Sequence, residues 1–522
     1  MLHDSRREID YRDQVQLSVN PLTFRSSPPS LSALPSLRVT RSWQYGRVAL
    51  GHFLWRQLGL HTAVIEALNG TPAKGRVAHL LELMVLNRLD DPTSKLGLLD
   101  WMPGSAAPFL TGIPPARVYD NQFYRAMDAL WACRDTLEQR IYQRTVRPAS
   151  HTPGVLYHDL TSTYYEGEGG ALARFGYSRD HRGDRPQITW GMVVTPEGLP
   201  ITLQVYPGNT TDNTTVVRMR QRLTEVFGLH QGIYVGDRGM KTQEVVEDLH
   251  RHGFHYVVAE VNRNVEEVLL EARDRRAVRV GKNLAREVIG RDGRRFIALL
   301  NEEKRRDELE TLDHRIAQGR AILDELRRRL VKGPERHHHV ILRQAHAALS
   351  AKGLGDLFEV DWDEATFQGL TSKLKETTSR RKREAGWWVL STDTNLPVEE
   401  VVRLYTGLAV IEAGWKEIKS VLEVRPVRHR LDRRVEAHLE ICQLAYLLQQ
   451  MLELRLKERV KVTGPRAVEM FHTVVLNEVE VGESGIRRQV VTELDGPQRA
   501  ILDAAGIDPT AFQKGWNRVD QG

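Results

Sequence analysis

The stretch Val155-Leu156-Tyr157-His158-Asp159-Leu160-Thr161 reads as a short apolar strand with one acid set into it. Pro153-Gly154 opens the strand, and its apolar character marks it as buried. An ionised aspartate in such a place is costly unless a metal or a partner neutralises it. A second stretch repeats the arrangement: Gly232-Ile233-Tyr234-Val235-Gly236-Asp237-Arg238-Gly239 carries its acid at the strand end, bracketed by Gly236 and Gly239. The competing reading of Asp237 is a cap for the helix that begins near Thr242. A third stretch, Tyr405 to Lys419 (YTGLAVIEAGWKEIK), is amphipathic. Tyr405, Glu412 and Lys419 stand seven residues apart, so a helix returns them to nearly the same face two turns on. Leu404, Leu408, Ile411, Ile418 and Leu422 supply apolar contacts beside that face. Two strand aspartates and one helix glutamate can pool their carboxylates around hard divalent cations. Two such ions about 4 Å apart activate a nucleophile and stabilise a leaving oxygen in phosphodiester chemistry.

Outward from these stretches the chain divides by pattern. Residues 1–39 contain Ser26-Ser27-Pro28-Pro29-Ser30 and Pro35-Ser36 and read as a poorly ordered tail. Residues 40–150 are helical in pattern, with helices expected at 75–89 and 119–145 and a stop at Asn69-Gly70. Strands are expected at 154–160, 187–195, 199–206, 232–237 and 254–260, with a turn at Gly198-Leu199-Pro200 and helices at 214–227 and 242–252. Residues 261–385 read as a mainly helical insertion with a short strand at 296–300. Its run 302–331 carries Leu or Ile at 309, 312, 316, 322, 323, 326 and 330, a spacing near a heptad that suits a paired helix. His337-His338-His339 cannot all face one ion on a helix and read as a surface run. Trp387-Trp388-Val389-Leu390 resumes the sheet, and Pro397 at a first helical position, with Asn395 as its cap, opens the glutamate helix. Residues 456–522 form a C-terminal region of unassigned role.

The chain has 522 residues, 41% of them hydrophobic, enough for several cores. Its 74 Lys and Arg against 68 Asp and Glu leave a net charge of +6, a mild basic bias compatible with a nucleic-acid partner. Arg425, Arg428, His429, Arg430, Arg433 and Arg434 form its densest basic cluster, suited to phosphate contact. Its two cysteines, Cys133 and Cys442, are far apart in helical surroundings and read as reduced core residues. No apolar run approaches the ~18 residues of a membrane span, and the charged N-terminus lacks a secretion signal's apolar core. A cytoplasmic, nucleoid-associated protein is the expectation.

Four segments together resemble the DDE transposases of bacterial insertion sequences, in particular the insertion-sequence-four superfamily and its sixteen-thirty-four-like group. They are HDLTSTYYEG (158–167), FGYSRDHRGDRPQITWGMVVTPEGLPITLQVYPGNTTDNTT (175–215), YVGDRGM (234–240) and LSTDTNLPVEEVVRLYTGLAVIEAGWKEIKS (390–420). The superfamily signature is Tyr, two residues, Arg, three residues, Glu, six residues, Lys. Tyr405, Glu412 and Lys419 meet it, and Leu408 stands where the arginine is usual. The resemblance covers roughly 150–455.

It implies an α/β chain: a ribonuclease-H-like catalytic domain (151–260 and 386–455), interrupted by the insertion and preceded by a helical region that helps bind DNA ends. It implies Asp159, Asp237 and Glu412 as catalytic metal ligands for Mg²⁺, with Mn²⁺ able to substitute. Tyr405, Lys419, Arg238, Lys416, Arg425, Arg428 and His429 would contact DNA phosphates, and Trp415 would stack on an unpaired base. His438 is the candidate active-site support. The partner would be double-stranded DNA, as transposon ends and target, met by a homodimer. The alternatives are a nuclease of the same fold without strand transfer, and a decayed relative that binds DNA without cutting it.

Overall fold

The computed structural model describes residues 37–152, 154–260, 262–291, 293–331, 338–363, 370–482 and 486–514. The Ser/Pro-rich stretch before residue 37, Pro153 and His337 lie outside these. Strand β1 (Leu37–Gln44) is followed by an all-helical stretch with helices at Gly46–Gln57, Leu60–Ala67, Lys74–Asp90 and Asp120–Ile141. The helix Lys74–Asp90 is its axis: every residue from Leu80 to Asp90 is buried. The helix Asp120–Ile141 is tied to the strands that follow by a buried polar knot. Glu138 accepts from Thr202 Oγ1 at 2.8 Å and from the Arg222 guanidinium, and Arg222 Nε donates to Thr202 Oγ1 at 2.8 Å. The helices and the sheet thus share one continuous apolar core.

That sheet is built from β2 (Val155–Tyr164), β3 (Gln187–Val194), β4 (Pro200–Pro207), β5 (Gly232–Gly236), β6 (Phe254–Ala259), β7 (Val278–Val280), β8 (Asn283–Ile289) and β9 (Arg295–Asn301). After β10 (Phe358–Trp362) and β11 (Leu370–Leu374), the last strand of the sheet is β12 (Trp387–Thr392). The nine strands lie in the order β4-β3-β2-β5-β6-β12-β9-β8-β7. β2, β3 and β4 form an antiparallel meander whose turn is made at Gly198, where φ is +84°, a left-handed value that glycine adopts freely. β2, β5 and β6 run parallel, with the helices Asp212–Glu225 and Gln243–Arg251 in the connections. β12 then pairs antiparallel with β6 on one side and β9 on the other.

The segment 261–385 therefore divides. Its strands β7, β8 and β9 extend the central sheet instead of forming a separate helical body, because β9 offers β12 a free edge over six residue pairs. The remainder has its own small core. Leu312, Ile316 and Leu323 of the helix Glu302–Val331 pack on Ile341, Ala345 and Leu349 of the helix His338–Ala351 and on the β10–β11 hairpin. The helix expected to be paired across 302–331 finds its partner there. His338 lies against the ring of Trp362.

The described residues 37–41, 477–482 and 486–490 belong to a second compact unit; the three-stranded sheet β1, β13 (Val475–Val481) and β14 (Ile486–Val491), in the order β1-β13-β14, lies largely within it. Cys133 is half-buried and Cys442 buried, both as free thiols. Among the described residues no helix is long and apolar enough to cross a membrane.

One close approach fixes the loop 172–187 to the end of the meander. The amide of Gly208 donates to Leu172 O at 3.1 Å, and a Cβ at Gly208 would collide with the carbonyl oxygens of Gln187 and Arg174. Since both obstacles are backbone, Gly208→Ala is expected to lower stability by about 1–3 kcal/mol. Urea unfolding reads this directly; an unchanged midpoint would mean that the loop yields without cost.

Candidate active site

The register of β2 against β5 positions the two aspartates. Tyr157 pairs with Val235 in the parallel ladder, and Asp159 and Asp237 each lie two residues further on. In extended chains such positions share a face, so the acids stand side by side on neighbouring strands. Asp159 is half-buried, and its Oδ2 accepts from the indole Nε1 of Trp415 at 2.8 Å. Burial pushes the Asp159 carboxyl up to about 6. The Trp415 hydrogen bond, the Leu160 amide and the charge of Arg179 work against that rise, and the charge of Asp237 adds to it. Asp237 is exposed, and its Oδ1 accepts from the amide of Arg238 at 2.7 Å. Its capping obligation is to the short turn Arg238–Met240; the helix Gln243–Arg251 is capped by Thr242, whose Oγ1 accepts from Val245 N.

The glutamate helix differs from expectation. Two helices, Val398–Gly407 and Ala409–Ser420, meet at a break at Leu408. Pro397 is the residue before the first helix, not its first member, and no side chain caps it, Asn395 included. Gly407 packs so closely on the Tyr157 hydroxyl that no Cβ would fit without a shift, and Gly414 does the same against Tyr446. Glu412 is exposed on the second helix. The phenol of Tyr405 reports the gathering: burial first, then the charges of Asp237, Glu412 and Asp159, drive it up to about 12, with Arg238 opposing. Those three acids and Arg238 therefore all lie within electrostatic reach of one hydroxyl. Leu408, at the position where the superfamily signature has arginine, is buried.

Lys419 is held by a residue that the sequence reading passed over. Its Nζ donates to Asp180 Oδ1 at 2.8 Å, and Arg425 donates to the same oxygen. The Asp180 side chain is only 2% exposed, so two cations are fixed on one buried carboxylate. The neighbouring Arg179 makes a two-pronged contact with Asp212, at 2.9 and 3.0 Å. The signal lay in the quoted segment FGYSRDHRGD, where alternating charges crowd a short loop.

The remaining candidates sort by exposure. Trp415 is corrected: it is buried edge-on against Trp190, with ring centroids 4.7 Å apart, and its polar edge serves Asp159, so its ring is not offered to a base. Lys416 and Arg238 are exposed. Arg428 makes an exposed pair with Glu166 at 2.8 Å. Within the basic cluster, Arg433 and Arg434 both bind Asp128 of the helix Asp120–Ile141 and tie helices together. His429 is pushed down to about 3 by burial and then by the charges of Lys95, Arg434 and Arg88. His438 is buried, its Nε2 meets Val424 O at 3.0 Å, and the titratable groups that act on it are Lys95, His429 and Arg88 rather than the three acids.

Among the described residues no three His, Cys, Asp or Glu stand close enough to hold a metal ion. The donor set fits one in chemistry: two adjacent carboxylates, one of them strained by burial beside a like charge, are the hard oxygens that Mg²⁺ or Mn²⁺ takes. A third ligand requires Glu412 to close on that pair.

Paired acids, one within β2 and one just past the end of β5, with a helix acid and a lysine across from them, are the outline of an enzyme working on phosphodiesters. The model of the transposase DDE domain family matches residues 150–448, more than half of the chain, and the chain belongs to that family. The matched range contains Asp159, Asp237 and Glu412. Among solved structures, the chain is similar to a cryo-EM structure of the piggyBac transposase synaptic complex with hairpin DNA. The identity is 10% and the TM-score 0.36, over 93% of this chain and 87% of that one. No curated protein matches.

The raised Asp159 carboxyl has a consequence for stability. A group whose folded pKa lies above its unfolded value stabilises the fold when protonated and loses that contribution as pH rises through about 6. In metal-free buffer, Asp159→Asn is thus expected to stabilise the protein by about 2 kcal/mol at pH 7–8. The gain should shrink from about pH 6 downward and vanish below about pH 3, where the wild-type acid is protonated in both states. Thermal melting across that range checks it, and a uniform loss of stability would contradict the burial argument.

Proposed function

We propose that this protein binds the terminal inverted repeats of an insertion sequence, cuts the DNA there and joins the freed ends to target DNA. The observation that supports this most is the pair Asp159 and Asp237, set side by side within the matched family domain, with Glu412 and Lys419 on the facing helix. We read the central strands as a ribonuclease-H-like core formed by residues 151–260 and 386–455. We place the chain in the sixteen-thirty-four-like group of the insertion-sequence-four superfamily.

Asp159, Asp237 and Glu412 would hold two Mg²⁺, or Mn²⁺ in their place. When bound, such a pair lowers the pKa of a water and stabilises the departing oxygen. Around that centre the chain's own residues bind and orient. Trp415 fixes the rotamer of Asp159 through its N–H. Lys419 and Tyr405 hold the phosphate beside the scissile bond, and Arg238 offsets charge that builds on the phosphoryl oxygens. Asp180 is a positioning residue, since it sets where the Lys419 ammonium sits. Water attacks phosphorus in line, the bond to the 3′ oxygen breaks, and that oxygen leaves as a 3′-hydroxyl. The hydroxyl then attacks a phosphodiester of the opposite strand and expels the 3′ oxygen of the flanking DNA, giving a hairpin. A second water opens the hairpin and regenerates the 3′-hydroxyl, which attacks a target phosphodiester and expels a target 3′ oxygen. Two ends must be cut in concert, so two copies of the chain are expected in the working complex.

The test is cleavage and joining of a labelled duplex carrying the element's own terminal repeats, with Mg²⁺. Asp159→Asn, Asp237→Asn and Glu412→Gln should each reduce cleavage to background while leaving end binding intact. Asp180→Asn should raise the DNA concentration needed for half-maximal cleavage more than it lowers the plateau rate. Cleavage without joining would make the chain a nuclease of the same fold. Binding without cleavage by the wild type would make it a decayed relative.

A further inference from the structure

A cavity of about 250 Å³ lies between the loop that follows the helix Lys74–Asp90 and the segment leading into the helix Asp432–Leu456. Lys95, Arg88, His429 and His438 line it, with Arg425 and Arg428. Two of these are buried cations without a counter-charge. The Lys95 side chain is 3% exposed and makes no hydrogen bond or ion pair among the described residues. Arg88 is also 3% exposed and donates only to neutral oxygens: Leu422 O and Glu423 O at 3.3 Å, Asn87 Oδ1 at 3.2 Å, and Thr93 O. Two acids act on Arg88 from a distance, Asp91 and Glu423. Both are exposed, Glu423 at the cavity wall, and neither forms an ion pair with Arg88 or Lys95. His438 Nδ1, also buried, has no partner. Burial and the Arg88 charge pull the Lys95 ammonium down to about 7, the mark of a cation kept dry beside another.

Placing uncompensated charge in the interior is strongly unfavourable, and folds retain it where a ligand of opposite sign completes the site. The space suits a phosphate group with several waters, at ~30 Å³ of liquid volume each. Continuity with the acids gives the direction: Arg425 lines the cavity and also binds Asp180, the residue that holds Lys419. A strand anchored in the cavity would run past Asp180 toward Glu412.

We propose that this cavity binds one backbone phosphate of a DNA strand, with Lys95 as its buried charged contact and Arg425 and Arg428 at its mouth. It deepens the DNA-processing reading above and rests on it, adding an anchor contributed in part by the helical region 40–150.

Lys95→Met keeps the apolar stem and removes the charge. With the full chain and a duplex carrying the terminal repeats, the dissociation constant should rise about ten-fold, and the slope of log affinity against log salt should shrink by roughly one. Melting of the free variant in chloride should not fall, because a buried unpaired charge has been removed. Inorganic phosphate at tens of millimolar, at matched ionic strength, should raise the melting temperature of the wild type by a few degrees and leave Lys95→Met unmoved. A variant that melts lower while binding DNA and phosphate like the wild type overturns the proposal and makes Lys95 structural. Protection by phosphate with unchanged DNA affinity in Lys95→Met overturns the DNA source and leaves a site for a free phosphate. A wild type that binds no duplex overturns the DNA-processing reading itself, and the phosphate measurement then judges the cavity by itself.

Discussion

The hydrogen bond from Trp415 to Asp159 joins the glutamate helix to the central strand, and the site is arranged around the problem that it addresses. A carboxylate on β2, an interior strand of a nine-stranded sheet, is short of polar neighbours. One indole N–H, one amide and the distant charge of Arg179 do not fully offset its burial, so its pKa stays raised. What remains is an attraction for any cation that can reach the strand end. The same bond orients the indole, wedges it against Trp190 and so sets the depth at which the helix Ala409–Ser420 rests on the sheet. Gly407 and Gly414 allow that depth by carrying no side chain toward Tyr157 and Tyr446.

Positive charge in this protein falls into three kinds. Arg433 and Arg434 share Asp128 and brace helix to helix. Lys419 and Arg425 share Asp180, whose burial makes it a firm anchor for groups that must keep a fixed geometry. Arg88 and Lys95 share no acid at all. A cluster that looks uniform as a count of arginines and lysines thus separates into bracing, positioning and unsatisfied members. Only the pairing of each side chain distinguishes them, which is why net charge says little about function.

Much of this was legible in the order of residues, for definite reasons. The strands at 155–164, 187–194, 200–207, 232–236 and 254–259 are short apolar runs between turn residues, and a covered sheet leaves few other ways to place them. The two aspartates stood out because each interrupts such a run. Other features depend on contacts between distant segments. Beside the break at Leu408, Gly407 fits against Tyr157, some 250 residues earlier. Trp415 looked available for stacking because helical spacing cannot show that Trp190 covers it. Asp180 sat inside a quoted segment without a role, since nothing local connects it to Lys419. Strands β7 to β9 read as part of an insertion because their place beside β12 is a long-range pairing. The cavity residues Arg88 and Lys95 lie more than 300 residues from His429 and His438 and share no pattern with them.

The position of β12 bears on when in its life the protein first has a complete set of acids. β12 fits between β6 and β9, and the chain that separates it from β6 is well over a hundred residues long. A ribosome therefore releases Asp159 and Asp237 into a sheet that ends at β6, since β7 to β9 join it only through β12, and Glu412 emerges later still. Closing so long an excursion adds little entropy cost over a shorter one, because that cost grows only with the logarithm of length. The delay is one of synthesis and not of stability. A nascent chain carries two of the three acids for about a third of its translation, from residue 237 to residue 412 of 522, and a truncated product ending before β12 keeps only those two.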